Sequence, residues 1–361
     1  MSITLDIKGD LRNQVEAMSG GEMTVRYTAK GQPSYFYRFR RDVFEADVEP
    51  ELSVNHPAFF VNGVQKSEIL VGIHQAAEVN GEAVSQAGLM PRVSINHDQA
   101  VDLCRVTGPG FFACTNPIYA AIALQCRARF RYPRGNNNYG KAYNAPNEYG
   151  VDENGDPGTG SRKTAIRAGS GPATWNHPPT PFGIQNLNGN VWEWSPGMRI
   201  VDGEIQIIEG NDAALIATDL SDSGPWQAVD ATTGNLVAPG TAGAVKYASS
   251  GSADGTLALS NGRPFSDMQA NEVSPAALML LKRYGLMPPG APMESDYFYL
   301  NTSGERLPYR GGNWNNAADA GVFALNLNNP RSNSNTNIGF RPALENREKR
   351  PAYWACRQCI S

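Results

Sequence analysis

Gly183-Ile-Gln-Asn-Leu-Asn-Gly189-Asn190-Val191-Trp192-Glu193-Trp194 is answered far along the chain by two further blocks, Arg310-Gly311-Gly312-Asn313-Trp314-Asn315-Asn316 and Asn337-Ile338-Gly339-Phe340-Arg341. Together these three stretches decide how the rest of the sequence is read. Gly189-Asn190 is a tight turn feeding a short strand whose two indoles, Trp192 and Trp194, bury large areas. Gly311 and Gly312 permit close backbone approach, with Trp314 as the apolar anchor beside them. Gly339-Phe340-Arg341 closes a final strand, with Phe340 in the core and Arg341 available to pair with a buried carboxylate.

Around these blocks the coarse pattern mixes strands and helices. Ser34 to Arg40 and Ile69 to Ile73 read as strands, and residues 1–50 read as short strands and turns. Asp98 to Cys104 reads as a helix capped by Asn96 or Ser94. Pro117 to Cys126 reads as another, with Asn116 as N-cap and Pro in its first turn. Residues 132–190 are rich in Gly, Pro, Asn and Trp without periodicity. A second irregular block, 197–305, holds one convincing helix, Pro275 to Gly285, with Ser274 as cap.

Composition excludes several function classes. The net charge is −4 with no basic stripe, so nucleic-acid binding is not expected. No apolar run is long enough for membrane insertion, and the N-terminus lacks the pattern of a secretory signal. Five cysteines, an odd number in a long chain, argue against a disulfide framework and for folding in a reducing cytosol.

Local candidates for chemistry are weak. Gly135-Asn-Asn-Asn-Tyr-Gly140-Lys141-Ala142 nearly spells a phosphate loop, but Ala142 stands where a hydroxyl should hold magnesium, and the flanking strand and helix are missing. His56, His74, His97 and His177 lack the spacing of a zinc pair. Cys356 and Cys359 have zinc-knuckle spacing but no second pair, since Cys104, Cys114 and Cys126 are scattered. Asp152, Asn154 and Asp156 alternate around a glycine in a way that could fold about calcium, without the distant bidentate glutamate of an EF-hand loop. No other cofactor is expected.

The Trp192 and Arg310 blocks, in this order, resemble the sulfatase-modifying, formylglycine-generating-enzyme-like branch of the C-type lectin fold. Fainter likenesses agree: Phe59-Phe-Val-Asn before Ile69, Arg92 to Ala100 as a helix entry, and Arg131-Tyr-Pro-Arg-Gly-Asn136. The resemblance implies an α+β, C-type-lectin-like domain over 51–345, interrupted by a 197–305 insertion, after a β-rich attachment or oligomerisation segment at 1–50 and before a tail at 346–361. Trp192, Trp194, Gly311, Gly312, Trp314, Gly339, Phe340 and Arg341 would be its scaffold. The family's enzymes hold copper with a cysteine pair. Here Asn316 and Gly321 stand in the matching positions, and the related sulfoxide synthases need a histidine triad that is absent. The implied protein is not an enzyme; an oxidase with a rearranged site is the alternative.

Between Asn313 and Asn337, nine asparagines alternate with small and polar residues over an apolar frame of Trp314, Val322, Phe323, Leu325, Leu327, Ile338 and Phe340. Leu325-Asn-Leu-Asn328 alternates as a strand with leucine inward would, although Asn is a poor strand former. This pattern resembles the variable protein of a diversity-generating retroelement, in which Asn codons are mutagenised to diversify a receptor-binding face. The resemblance marks Asn313, Asn315, Asn316, Ala318, Asp319, Asn326, Asn328, Asn329, Ser332, Asn333, Asn335 and Thr336, within a variable region 310–344, as ligand-binding positions. Asn337 would be structural. It also implies a protein or glycan receptor on a cell surface, a place on a phage tail or in the cytoplasm before release, and a chain able to form a homo-oligomer.

Overall fold

A computed structural model describes residues 7–161 and 165–345. Strands predominate, with a few helices, in a mixed α+β arrangement. Two sheets organise the region around the three sequence blocks. The first has five antiparallel strands in the spatial order Met23–Tyr27, Pro33–Arg40, Glu68–Gly72, Pro342–Leu344, Phe111–Ala113. The second is mixed, with six strands in the order Arg263–Pro264, Tyr297–Leu300, Gly321–Leu327, Tyr309–Gly311, Trp192–Trp194, Ile338–Phe340, of which Tyr297–Leu300 runs parallel to Gly321–Leu327 and Trp192–Trp194 parallel to Ile338–Phe340. Strands on both sides of residue 50 therefore share one sheet, and the first fifty residues include the helices Ile7–Met18 and Arg41–Asp47, which alternation alone did not suggest.

The expected helices form as His97–Thr107, Asn116–Ala128 and Pro275–Arg283. Asn96 caps the first in a full capping box with Gln99, and the Ser274 hydroxyl caps the third. Asn116 does not cap the second. Its side-chain oxygen is taken by Arg310, at 3.0 Å from Nε and 2.6 Å from Nη2, because among the described residues that buried guanidinium has no carboxylate partner and needs acceptors. Nearly every residue of this helix is buried, as a helix apolar on all sides must be. The 197–305 block is rich in loops, as its composition suggests, but its short strands, including Met198–Val201 and Glu204–Ile207, join one sheet, and its strand Tyr297–Leu300 pairs with Gly321–Leu327.

Arg341 lies between the two sheets, with Phe340 in one and Pro342 in the other. Its side chain is fully buried and makes a two-pronged contact with Glu193, Nε to Oε2 at 3.0 Å and Nη2 to Oε1 at 2.6 Å. The remaining donors meet the carbonyls of Gly72, Ile73 and Gln185. Gln75 also donates to Glu193.

Because these groups satisfy each other, removing one partner should cost more than removing both. Arg341→Met should destabilise the fold by about 3–5 kcal/mol, and the double variant Arg341→Met/Glu193→Leu by clearly less. Urea unfolding of the two variants measures the difference.

Candidate ligand-binding face

The six-stranded sheet sorts its side chains by register. Tyr299 and Tyr309 both pair with Asn326, Tyr309 pairs with Trp194, and Trp194 with Phe340, so these residues project on one side. Phe298, Leu300, Leu325 and Leu327 project on the other and enter the main core. Trp192, Trp194, Tyr309, Ala324, Ile338 and Phe340 form a second apolar cluster, with Tyr299 packed at its margin. Trp194 meets Tyr309 edge-on at 4.1 Å between ring centres, and Trp192 meets Tyr299 at 6.0 Å. The alternation read at Leu325 to Asn328 holds: both leucines are buried and both asparagines are partly exposed.

The segments that carry the Asn-rich positions lie along this sheet. Asn315, Ser332, Asn335 and Thr336 are exposed; Asn316, Ala318, Asp319, Asn326, Asn328, Asn329 and Asn333 are partly exposed. Asn313 departs from the expected set. It is 3 % exposed, its side-chain oxygen accepts the Asn315 amide at 2.9 Å, and so it belongs to the frame rather than the surface. Other asparagines have double duty. Asn316 accepts the Asn313 amide and donates to the Tyr299 hydroxyl at 3.4 Å; Asn326 accepts the Asn328 amide; Asn333 donates to the Tyr309 hydroxyl at 2.7 Å. Such short side-chain to backbone bonds favour turns over strands, which is why this run supports loops. Asn337 contributes its carbonyl to the Trp192 amide.

Behind them the scaffold is tight. A Cβ on Gly311 would sit 2.6 Å from the Tyr119 hydroxyl, and one on Gly312 2.4 Å from the Ala320 Cβ, with both glycines at positive φ. Trp314 is buried beside Val191 and Ala165. Its amide donates to Asn190 and its carbonyl accepts from Tyr139, which ties this loop to the Trp192 turn and to the segment Gly135 to Gly140. That segment is a buttress, not a phosphate loop. Asn136 and Asn137 donate to the side chains of Asn190 and Asn188, and a Cβ on Gly135 would overlap the Asn188 carbonyl.

Sequence reading missed three contributors. Tyr297 and Tyr299, partly exposed, come from the inserted block; the alternation of Tyr297-Phe-Tyr-Leu300 was the available signal. Arg331 pins the 329–336 loop, donating to both oxygens of Glu305 at 3.0 and 2.9 Å and to Asp98 at 2.8 Å. No local pattern marks it, because both partners are distant in sequence. With Arg331 neutralised, the face offers amides, hydroxyls and aromatic rings. Its carboxylate, Asp319, is pushed up by burial and bonds to the Tyr299 hydroxyl.

The other candidates do not assemble into a site. His56, His74, His97 and His177 are buried apart from one another, and among the described residues no three His, Cys, Asp or Glu side chains converge. Burial pushes the thiols of Cys104, Cys114 and Cys126 up, away from the thiolate form. Cys356 and Cys359 lie outside the described residues. Asp152 spends one carboxylate oxygen on the amides of Asn154 and Asp156, at 2.9 and 3.0 Å, closing a turn. At Gly321, the space a side chain would need is filled by Asp296, whose Oδ1 lies 2.0 Å from the position of an added Cβ.

No protein-family model matches the chain, and no curated protein matches it. Among solved structures it is similar to Major Tropism Determinant U1 Variant, with 14 % identity over 79 % of this chain and 51 % of that one at a TM-score of 0.30. The I1 Variant gives 12 % identity, 77 % and 50 % coverage and a TM-score of 0.30. Treponema denticola variable protein 1 gives 12 % identity, 89 % and 94 % coverage and a TM-score of 0.27. The chain spans about half the length of the two tropism determinants. Among the described residues, no helix is long and apolar enough to cross a membrane.

Asp296 gives a pH test of this region. Burial pushes its carboxyl up to about 7, against the lowering effect of the Phe323 amide that donates to it. A folded-state value above the ordinary 3.8 means that its contribution is full below about pH 4 and is lost as pH rises through about 7. Asp296→Asn keeps an acceptor for Phe323 without the charge. The variant should gain about 4 kcal/mol over the parent at pH 8, a gain that shrinks toward pH 4. Unfolding midpoints across that range measure it.

Proposed function

We propose that this chain is a non-catalytic receptor-binding protein whose C-terminal segment presents a diversified face to a protein or glycan receptor on a cell surface. One observation carries the reading: exposed and half-exposed Asn, Ser and Thr side chains from 315 to 336 are mounted on a frame of buried residues, Trp192, Trp194, Trp314, Leu325, Leu327 and Phe340. Side chains at the open positions can change without creating a cavity or an unpaired buried group, so the surface can vary while the fold persists. Rings at the margin, Tyr297 and Tyr299, add area that costs little conformational entropy to immobilise.

In this reading the protein acts on a phage tail or a prophage-encoded particle, is made in the cytoplasm before release, and uses its first fifty residues for attachment or for assembly with further copies. The oxidase alternative has little support, since the described cysteines are buried and held as thiols.

Replacing Asn315, Ser332, Asn335 and Thr336 together by alanine should leave the melting temperature within a degree or two, because exposed sites contribute little to stability. Replacing them by tyrosine, tryptophan or arginine in a library should yield variants whose cell binding differs by tenfold or more. A library whose members all bind cells alike, or all fail to fold, would sink the proposal. A reverse-transcriptase gene nearby, with a near-copy of the 310–344 coding segment differing at adenines, would support diversification. Its absence together with stoichiometric copper binding would favour the oxidase.

A further inference from the structure

A second candidate site shares no residue with the Asn-rich face, and the inference is independent of the function proposed above. Pairing between the strands Met23–Tyr27 and Pro33–Arg40 stops at Met23 and Tyr37. Positive φ at Gly20 and Gly21 lets the preceding chain turn there. Beside the end of the second strand lies a pocket of about 260 Å³, whose wall Pro178, Thr180 and Arg129 complete. Sites for drug-sized molecules run to roughly 300–1,000 Å³, so its occupant is smaller.

Much of its polar wall is already committed. Arg38 makes a two-pronged contact with Glu68, through Nε at 3.0 Å and Nη2 at 3.1 Å. Arg129 and Gln125 both donate to Asp47, at 2.8 and 2.7 Å. The Thr180 hydroxyl accepts the Phe182 amide. Three groups are left. Glu22 is exposed, and its carboxylate has no ion pair or hydrogen bond among the described residues. Arg40 has only a solvent-exposed contact with Asp42 at 3.9 Å, of a kind that contributes little. Tyr37 packs its ring into the main core and is 7 % exposed, yet its hydroxyl has no hydrogen-bond partner among the described residues. Unlike the unpaired polar atoms sealed in the interior, this hydroxyl keeps contact with the pocket space. Burial weakens its acidity, to about 12; Glu22 adds to that effect, and Arg129 and Arg40 oppose it, so these charges act on the hydroxyl.

We infer that this pocket binds the zwitterion of a small free α-amino acid, its carboxylate toward Arg40 and the Tyr37 hydroxyl and its ammonium toward Glu22. Glu22 and Arg40 form no ion pair with each other, although both line one small space. A ligand entering that space strips water from both. One with a single charge leaves the opposite group desolvated and unpaired, whereas a zwitterion meets both.

L-Alanine is the probe, with propionate lacking the ammonium and isopropylamine lacking the carboxylate, each titrated into the full chain near neutral pH and followed by ligand-observed NMR. L-Alanine should bind saturably, and each half-ligand about tenfold or more weaker. Glu22→Gln should weaken L-alanine about tenfold and leave propionate no weaker, whereas Arg40→Gln should weaken L-alanine and propionate alike. Both side chains are exposed, so both variants should keep the melting temperature within about two degrees of the parent. Tyr37→Phe keeps the ring in the core and should weaken L-alanine by about threefold or more. The inference is overturned if L-alanine shows no saturable binding up to its solubility limit, or if either half-ligand binds as tightly. It is equally overturned if the folded Glu22→Gln and Arg40→Gln variants bind L-alanine as the parent does.

Discussion

The contact between Arg341 and Glu193 joins the pieces that everything else is built on. Arg341 occupies the single residue between a strand of the six-stranded sheet and a strand of the five-stranded one, so its position sets how the two sheets meet. The guanidinium reaches across to Glu193 in the neighbouring strand and ties in the carbonyls of Gly72, Ile73 and Gln185. Such a buried pair contributes little net stability compared with an apolar replacement of similar volume. What it imposes is register: a slip of one residue would leave two charges buried and unpaired.

That register determines which residues face outward. With Glu193 fixed, Trp192 and Trp194 point into the second apolar cluster, Tyr309 packs against them, and Asn326 aligns with Tyr309 and Tyr299. The loops carrying the polar positions are then held at separate points. Trp314 binds the turn at Asn190, Arg331 binds Glu305 and Asp98, and Asp296 receives the Phe323 amide where a side chain at position 321 would otherwise sit. Between these anchors lie the residues free to vary.

Much of the frame was legible in the residues themselves. The two indoles after Gly189-Asn190, the Gly-Phe-Arg strand and the capped helices beginning at His97 and Pro275 all stand where their local chemistry put them. The 197–305 block was not legible, because strands of two to four residues leave no usable period and take their identity from their neighbours. The glycines of the near phosphate loop at Gly135, already excluded by Ala142 and the missing flanking elements, have another use: residues that let backbone approach a phosphate serve equally well where one loop presses on another.

By itself the sequence determined the local elements and the polar or apolar character of each position, since turn chemistry, capping and alternation act over a few residues. Only the tertiary structure decided which of the like residues face solvent. Asn313 and Asn315 are chemically identical and two residues apart, yet the first is buried and accepts the amide of the second, which is exposed. Tyr299 and Arg331 gain their roles from partners distant in sequence, and Asn116 serves Arg310 instead of capping its own helix. Burial depends on what folds against a residue, and no property of the residue alone contains that.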